Sequence, residues 1–591
     1  MCPPLRAPRA RMVVAALLLL ATGCRHTAQI SDFTAEFVYT VLSFSPSAAA
    51  AAGLHEYKGQ VFDEQLDDLG PAAIDHQRRF YEDFNQRLGQ FDPDQMTAQE
   101  RADLAILQDR VGFALLDLVQ LRSYLHNPLL YVRTLGNALY TPYVVDYAPK
   151  VERFRHIAAR LRQVPLLLDQ ASTNMTSVPA VWAKAAIEAD RGIIDLVDGE
   201  LRAAAPAEVR KDYEDAAGIA LPAMRKFQDY LQNQVQYLDN YDWRLGTELY
   251  RQKFHYLLES GGAPTDLLIN TEREFAAVRA RMFDLALPLH RALAPSHKDH
   301  EGLVGAERQQ LVIGEVLASI ASRHSTPDSL LDDVRRDIEE ARAFAQRKHV
   351  LTLPAGRNLQ VAPTPEFLRQ FDSVSAFQAA PALQPQLGAV YSITLISPDW
   401  PSQRAESKLR EYNFDRLKVL ALREGIPGRY AQAEAANTVQ PEARRLLRSV
   451  FGEAAYIQGW EEYSAQAMMA AGFQDDSPEM ALTFAKEQLR VIADAILDVR
   501  LHTLNLTDQE ALNLLQNGAF QEAEEAQAKL LRAKLTSCEL PGYFVGLANW
   551  LKARAGYQAA RGGSPADFHD RALKQGAVPM SLLVAVLTGG G

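Results

Sequence analysis

Between Ser477 and about Thr503, the apolar residues Leu482, Ala485, Leu489, Ile492, Ile496 and Val499 recur at three- and four-residue steps. That spacing lines them along one face of an α-helix and does not suit a strand. Ser477 is a good capping residue and Pro478 suits the first helical position. Similar periodicity covers about 70–92, 97–125, 147–176, 207–236, 264–290, 327–347, 429–449, 452–471 and 540–560. Strand-like runs are limited to His349–Leu353 and Val390–Ile396. Long helices with so few strands predict a mainly α fold with a small accessory β-sheet. The Ala48–Ala52 run reads as a tightly packed helix, and no fixed-period repeat is visible.

The N-terminus reads as an export signal. Arg6, Arg9 and Arg11 precede an uncharged apolar stretch, Met12 to Thr22, which is too short to span a bilayer as a helix. It ends in Ala21-Thr22-Gly23-Cys24, which resembles the lipobox of bacterial lipoproteins. The sequence therefore predicts cleavage before Cys24 and lipidation of that cysteine; a plain secretory signal is the alternative. Arg25 gives no reason for inner-membrane retention, so the anchor is expected in the outer membrane, on its periplasmic or surface side, if the cell is Gram-negative. A helical pattern opens near Ser31-Asp32, leaving only a short tether. Cys538 is then alone in an apolar helical context and is expected to be a buried small residue. The net charge of −11 gives no electrostatic reason to expect nucleic acid as a partner.

Common catalytic signatures are absent: there is no HExxH, GxSxG, P-loop or GxGxxG. His297 and His300, followed by Glu301, have spacing that could begin a metal site, but they read as part of a polar, solvated interhelical loop. His55 reads as a capping or core histidine rather than a ligand.

The informative stretch is LKVLALREGIPGRYAQ, Leu417 to Gln432, followed by GWEEYSAQ, Gly459 to Gln466. These segments resemble the HEGxPGHHxQ and GWALYAE motifs of domain-of-unknown-function family 885, whose members look like helical zinc peptidases and are often lipoproteins. Other segments agree in order: FSPSAAAAAGLHEY near the start, Arg155 to Ala171, Arg244 to Tyr250, Asp498 with His502, Arg532 with Tyr543 and Gly546, and Phe568-His569-Asp570 with Gly576 and Pro579. The resemblance spans nearly the whole mature chain. It implies one large helical domain with a central cleft, in which two histidines and a glutamate hold zinc and the glutamate of HEG acts as base.

Laid onto this chain, the first histidine position is Arg423 and the base position is Glu424. The paired histidine positions are Arg429 and Tyr430, and the third-ligand position is Ala465. Only the glutamate remains. A guanidinium has no lone pair to offer a metal and stays charged, so Arg423 and Arg429 cannot be ligands. Glu461 lies one turn before Ala465 on the same helix face, so a carboxylate still has access to the site. His502 and Tyr543 fall toward the cleft in the family pattern, with hydrogen-bonded core positions as the alternative.

The sequence therefore predicts a signal segment over 1–24 and a helical peptidase-like body over 25–591, with lobes at about 30–345 and 346–591. It predicts a degenerate, non-catalytic relative without zinc or another cofactor, anchored to the envelope by lipid and binding a peptide or protein in the former cleft. Three expectations compete for the motif. In one, Glu424 pairs with an arginine. In a second, Glu424 still drives hydrolysis, with a metal on Glu461 or Glu462 or with none. In a third, only the folded body matters.

Overall fold

The computed structural model describes residues 29–589 except 239–240, 259–261, 294–297, 357 and 370–371. Cys24 and the signal segment therefore lie outside the described residues, as does His297.

The first half is helical: α1 (Ile30–Phe44), α2 (Pro46–Ala51), α3 (Pro71–Leu88), α4 (Ala98–Leu116), α5 (Pro128–Val144), α6 (Lys150–Leu161), α7 (Val164–Asn174), α8 (Ala180–Asp195), α9 (Arg210–Asn233), α10 (Gly246–Leu258), α11 (Pro264–Leu293), α12 (Gly305–Ala321) and α13 (Leu330–Lys348). A small sheet follows, with β1 (Leu359–Pro363), β2 (Ser375–Gln378) and β3 (Ala389–Ile393) in the order β1-β3-β2. β1 runs parallel to β3 with Leu359 opposite Ala389, and β2 runs antiparallel with Ser375 opposite Ile393. The chain then returns to helices: α14 (Ser402–Glu411), α15 (Phe414–Leu420), α16 (Arg429–Ala436), α17 (Glu442–Val450), α18 (Ala454–Ala470), α19 (Pro478–Thr503), α20 (Ala523–Leu535), α21 (Pro541–Arg561), α22 (Pro565–Leu573) and α23 (Met580–Thr588). The fold is mainly α with a small accessory sheet.

The longest periodic segment forms as its caps dictate. Ser477 accepts a hydrogen bond from the Met480 amide at 3.1 Å, and α19 opens at Pro478. Two expected helices are each a pair. The 147–176 segment breaks between α6 and α7, where Pro165 sits in the first turn of the new helix. The 429–449 segment breaks before Pro441, which precedes α17. His349–Leu353 is not a strand. His349 takes the left-handed conformation (φ +50°) and closes α13, and Asp570 then holds the Thr352 amide and hydroxyl. The outer strands β1 and β2 carry Pro363 and short polar residues, so alternation gave no signal for them. At the start, α1 opens at Ile30, with Gln29 rather than Ser31 at the N-cap position and no side-chain cap.

Apolar packing joins distant parts of the chain. Phe37 and Val38 of α1 share a buried cluster with Leu446 and Leu447 of α17. Val278 and Met282 of α11 share another with Leu489 and Ile496 of α19. A separate cluster holds α5 to α9 together. Between that bundle and the sheet lies a groove of about 740 Å³, bordered by Asp67, Arg133, Tyr140 and Lys253 on one side and by Phe377 and Gln378 of β2 on the other. Among the described residues, no helix is long and apolar enough to cross a membrane.

Candidate functional site

Helix α15 widens into a π turn over Ala421–Gly425, followed by Ile426-Pro427-Gly428 and the start of α16. The turn is tight enough to require glycine at 428, because a Cβ there would lie 1.5 Å from the Arg423 carbonyl oxygen. Helix α18 locks it from the side. Trp460 Nε1 donates to the Pro427 and Gly428 carbonyls at 3.0 and 3.1 Å. Tyr463 donates to His569 Nε2 at 2.9 Å while His569 Nδ1 donates to the Val350 carbonyl at 2.8 Å. Burial lowers the His569 pKa to about 4, which suits this neutral, singly donating ring. Helix α18 also presses on α21 at Gly459 and Gly546, where a Cβ on either would fall within 2.6 Å of the other's backbone. Glycine at both positions is what brings the two helices this close.

This packing carries Glu461 and Glu462 up to the π turn. The Arg423 side chain is only 5% exposed. Its guanidinium pairs with Glu462, lies 4.0 Å from Glu461 and 3.8 Å from Glu487, and sits over the Tyr543 ring at 5.6 Å. Arg429 is a third exposed. Its Nε lies 3.3 Å from Glu461 Oε1, and its guanidinium stacks on Phe377 of β2.

A wider buried ionic layer continues from there. Arg416 contacts Glu411 at 3.1 Å and Glu487 at 2.9 Å, and Arg490 contacts Glu487 at 2.9 Å and Asp494 at 3.5 Å. Lys529 meets Asp494 at 2.8 Å, and Lys408 meets Glu525 at 3.2 Å. Cation and carboxylate alternate, as buried charges must if neither is to be left unpaired.

The electrostatics split the carboxylates. Burial pushes the Glu461 pKa up to about 8 against the pull of Arg429 and Arg423, with Glu424 and Glu462 adding to the rise. Glu462 is raised by burial as well, opposed by Arg423. At Glu487, burial is outweighed by Arg416, Arg490 and Arg423, which hold the acid well below its usual range. Two arginines and a retained proton therefore compensate the converging carboxylates. Glu424 stands apart, which corrects the expectation that it pairs with an arginine: Arg423 and Arg429 go to Glu461 and Glu462 instead. Half-buried, it makes no hydrogen bond or ion pair among the described residues, and it borders a cavity of about 50 Å³ with Asp372, Arg532 and Tyr543. Asp372 also lines the larger groove.

A family model for bacterial proteins of unknown function, DUF885, matches residues 46–587. The chain belongs to this family. Among solved structures it is similar to a candidate lipoprotein of unknown function from Shewanella oneidensis, 23% identical with a TM-score of 0.74, covering 95% of this chain and 100% of that one. It is also similar to a candidate lipoprotein from Colwellia psychrerythraea, 16% identical with a TM-score of 0.74, covering 94% and 98%. At these identities the likeness establishes the fold alone. No curated protein matches the chain.

Within the DUF885 fold, the motif residues do not all meet. Arg423, Glu424, Glu461 and Tyr543 converge, with Arg429 and Glu462 at their edges. Tyr430 does not join them: its hydroxyl donates to Asn358 Oδ1 at 2.6 Å and to the Gly356 carbonyl at 3.0 Å, beside β1. Ala465 is fully buried in the apolar cluster of Leu422, Tyr463 and Met468. His502 stands fifteen residues beyond Glu487 on α19, about 22 Å along the axis. There Nε2 contacts the Ala533 and Thr536 carbonyls, and burial lowers the ring pKa to about 4. It serves the core. Cys538 is buried, as expected, but it lies in the bend between α20 and α21 with φ +61° rather than in a helix. His55 bridges Asp63 at 2.9 Å and Gln384 at 3.0 Å, tying the N-terminal segment to the region after β2.

Zinc in the motif would need neutral imidazole and carboxylate donors with one position open. Arg423, Arg429 and Ala465 do not supply them, and Arg423 places a fixed positive charge among the remaining carboxylates. The donor set does not fit zinc.

Sequence reasoning missed the ionic layer behind the motif. Its signal was present: Glu487, Arg490 and Asp494 interrupt the middle of α19, a helix buried on nearly every side. Charges in such a helix have to find partners.

Proposed function

We propose that this DUF885 member is a non-catalytic, degenerate relative of zinc-peptidase-like proteins that binds an extended peptide or protein segment in its central groove. The observation that carries this reading is Arg423, a buried cation lodged among Glu461, Glu462 and Glu487 at a metal-ligand position of the family motif. The groove suits an extended chain. Ala376, Phe377 and Gln378 of the edge strand β2 line it together with Val390 and Ser392 of β3, and an edge strand offers backbone groups for pairing. Arg133, Lys253, Asp67 and Asp117 all line the groove, so a peptide of mixed charge is the best match. We further propose that Cys24 carries lipid and holds the body at the envelope, most simply on the outer membrane of a Gram-negative cell.

The test is binding and cleavage of a mixed peptide pool by the purified mature protein. The reading expects saturable binding weakened by Ala376→Pro in β2, and no new fragments by mass spectrometry. A second reading draws on one observation, the unpaired Glu424 carboxylate beside a cavity: the protein remains a hydrolase without zinc in the motif. Cleavage abolished by Glu424→Gln would favour it and overturn the first.

A further inference from the structure

Away from the groove, the end of α11 and the loop leading to α12 gather a second set of chemistry-bearing side chains. His290, on the last turn of α11, is buried, with its ring 1% exposed. His300 lies in the loop and Glu315 on α12, 17% and 48% exposed. His290 Nε2 is 2.8 Å from Glu315 Oε2, and His300 Nε2 is 2.9 Å from Glu315 Oε1. One donor atom from each of the three residues lies within 4.8 Å of the others. The solvated-loop expectation for His300 is thus corrected: its ring contacts Glu315 of α12 and is only 17% exposed.

We propose that His290, His300 and Glu315 form a zinc site unrelated to the family motif. Two imidazoles and a carboxylate are a donor set zinc favours, and three protein ligands leave one position for water. The supporting shell is built as well. Asp299 Oδ1 accepts from His290 Nδ1 at 2.7 Å, which fixes the ring and turns Nε2 toward the shared point. Asp299 is itself held, with Oδ2 accepting from Arg291 Nε at 2.6 Å and its carbonyl from Arg308 Nε at 2.9 Å. The backbone is bent to the purpose. Asp299 and His300 are consecutive non-glycine residues with φ of +48° and +53°, a conformation L-residues adopt at a cost. A buried ligand, a half-exposed one and a partly exposed one leave the ion a path from solvent.

The packing suggests a structural role. His290 lies in the last turn of a helix whose Met282 and Ala286 share an apolar cluster with Val312 and Val316 of α12. A metal there would clamp the α11–α12 pair and the loop between them.

The test uses the mature, untagged protein stripped with EDTA and titrated with zinc chloride by calorimetry and thermal melting. The expected result is one zinc per chain and a higher Tm, with no shift from magnesium or calcium. His300→Ala and Glu315→Gln, both at accessible side chains, should each weaken binding at least tenfold. Asp299→Asn should weaken it 10- to 100-fold through the ring it orients. X-ray absorption should show two imidazoles on the metal. No zinc binding by the wild-type chain, or stoichiometric binding unchanged in the His300→Ala/Glu315→Gln double variant, would overturn the site. Zinc lost in the double variant but unaffected by Glu461→Gln supports it and leaves the reading of the motif intact.

Discussion

Arg423 on the π turn and Glu462 on α18 form an ion pair in which neither side chain is more than 6% exposed. The pair joins the two motif segments of the family directly.

Removing the arginine should therefore be far more damaging than its surface count implies. Arg423→Ala strands a buried carboxylate and is expected to cost about 3–5 kcal/mol. Arg429→Ala, at a side chain 33% exposed beside a Glu461 that can keep its proton, should cost less than Arg423→Ala. Urea unfolding of the two variants checks the contrast, and equal losses would contradict the geometry.

Stability should depend on pH through Glu461. In the unfolded chain this acid loses its proton near its ordinary value of 4.5, whereas in the folded protein it keeps it to about 8. Between those values the folded state binds more protons, so its contribution to stability falls as pH rises. The loss is on the order of a few kcal/mol across that window. Glu461→Gln should flatten the decline, seen as Tm values at pH 5 and pH 8 that converge relative to wild type.

The turn itself makes a steric prediction. A methyl group at position 428 would overlap the Arg423 carbonyl, so Gly428→Ala should cost about 3 kcal/mol or more, at the upper end for overpacking. Calorimetric melting reads this directly. A variant as stable as wild type would mean the turn can open.

Much of this was legible in the sequence. The caps and periodicity of α19 placed it to within a residue, and the motif pattern brought Arg423, Glu424, Glu461 and Tyr543 to one place. What escaped has physical reasons. Short edge strands such as β2 carry no alternation long enough to register. Ala465 and Tyr430 share motif segments with the cluster, but side-chain direction on a helix turns them toward the core and toward Asn358. The pairing of His300 with His290 and Glu315 depends on a left-handed bend at Asp299 that sequence spacing does not encode.

Export can be checked without the fold. Cys24 follows Ala-Thr-Gly after a charged and apolar leader. The mature protein should begin at a lipidated Cys24 and sediment with membranes, and Cys24→Ser should release it or block its processing. A mature chain that still begins at Met1 would contradict the anchor.

The central claim is that Arg423 and Arg429 have taken the place of zinc in the family motif. It is tested most directly by the metal content of the His300→Ala/Glu315→Gln double variant, purified without chelator or histidine tag. The account predicts far less than one zinc per chain and no rise in Tm on adding zinc. Close to one zinc per chain, lost on Glu461→Ala or Glu424→Ala, would contradict it.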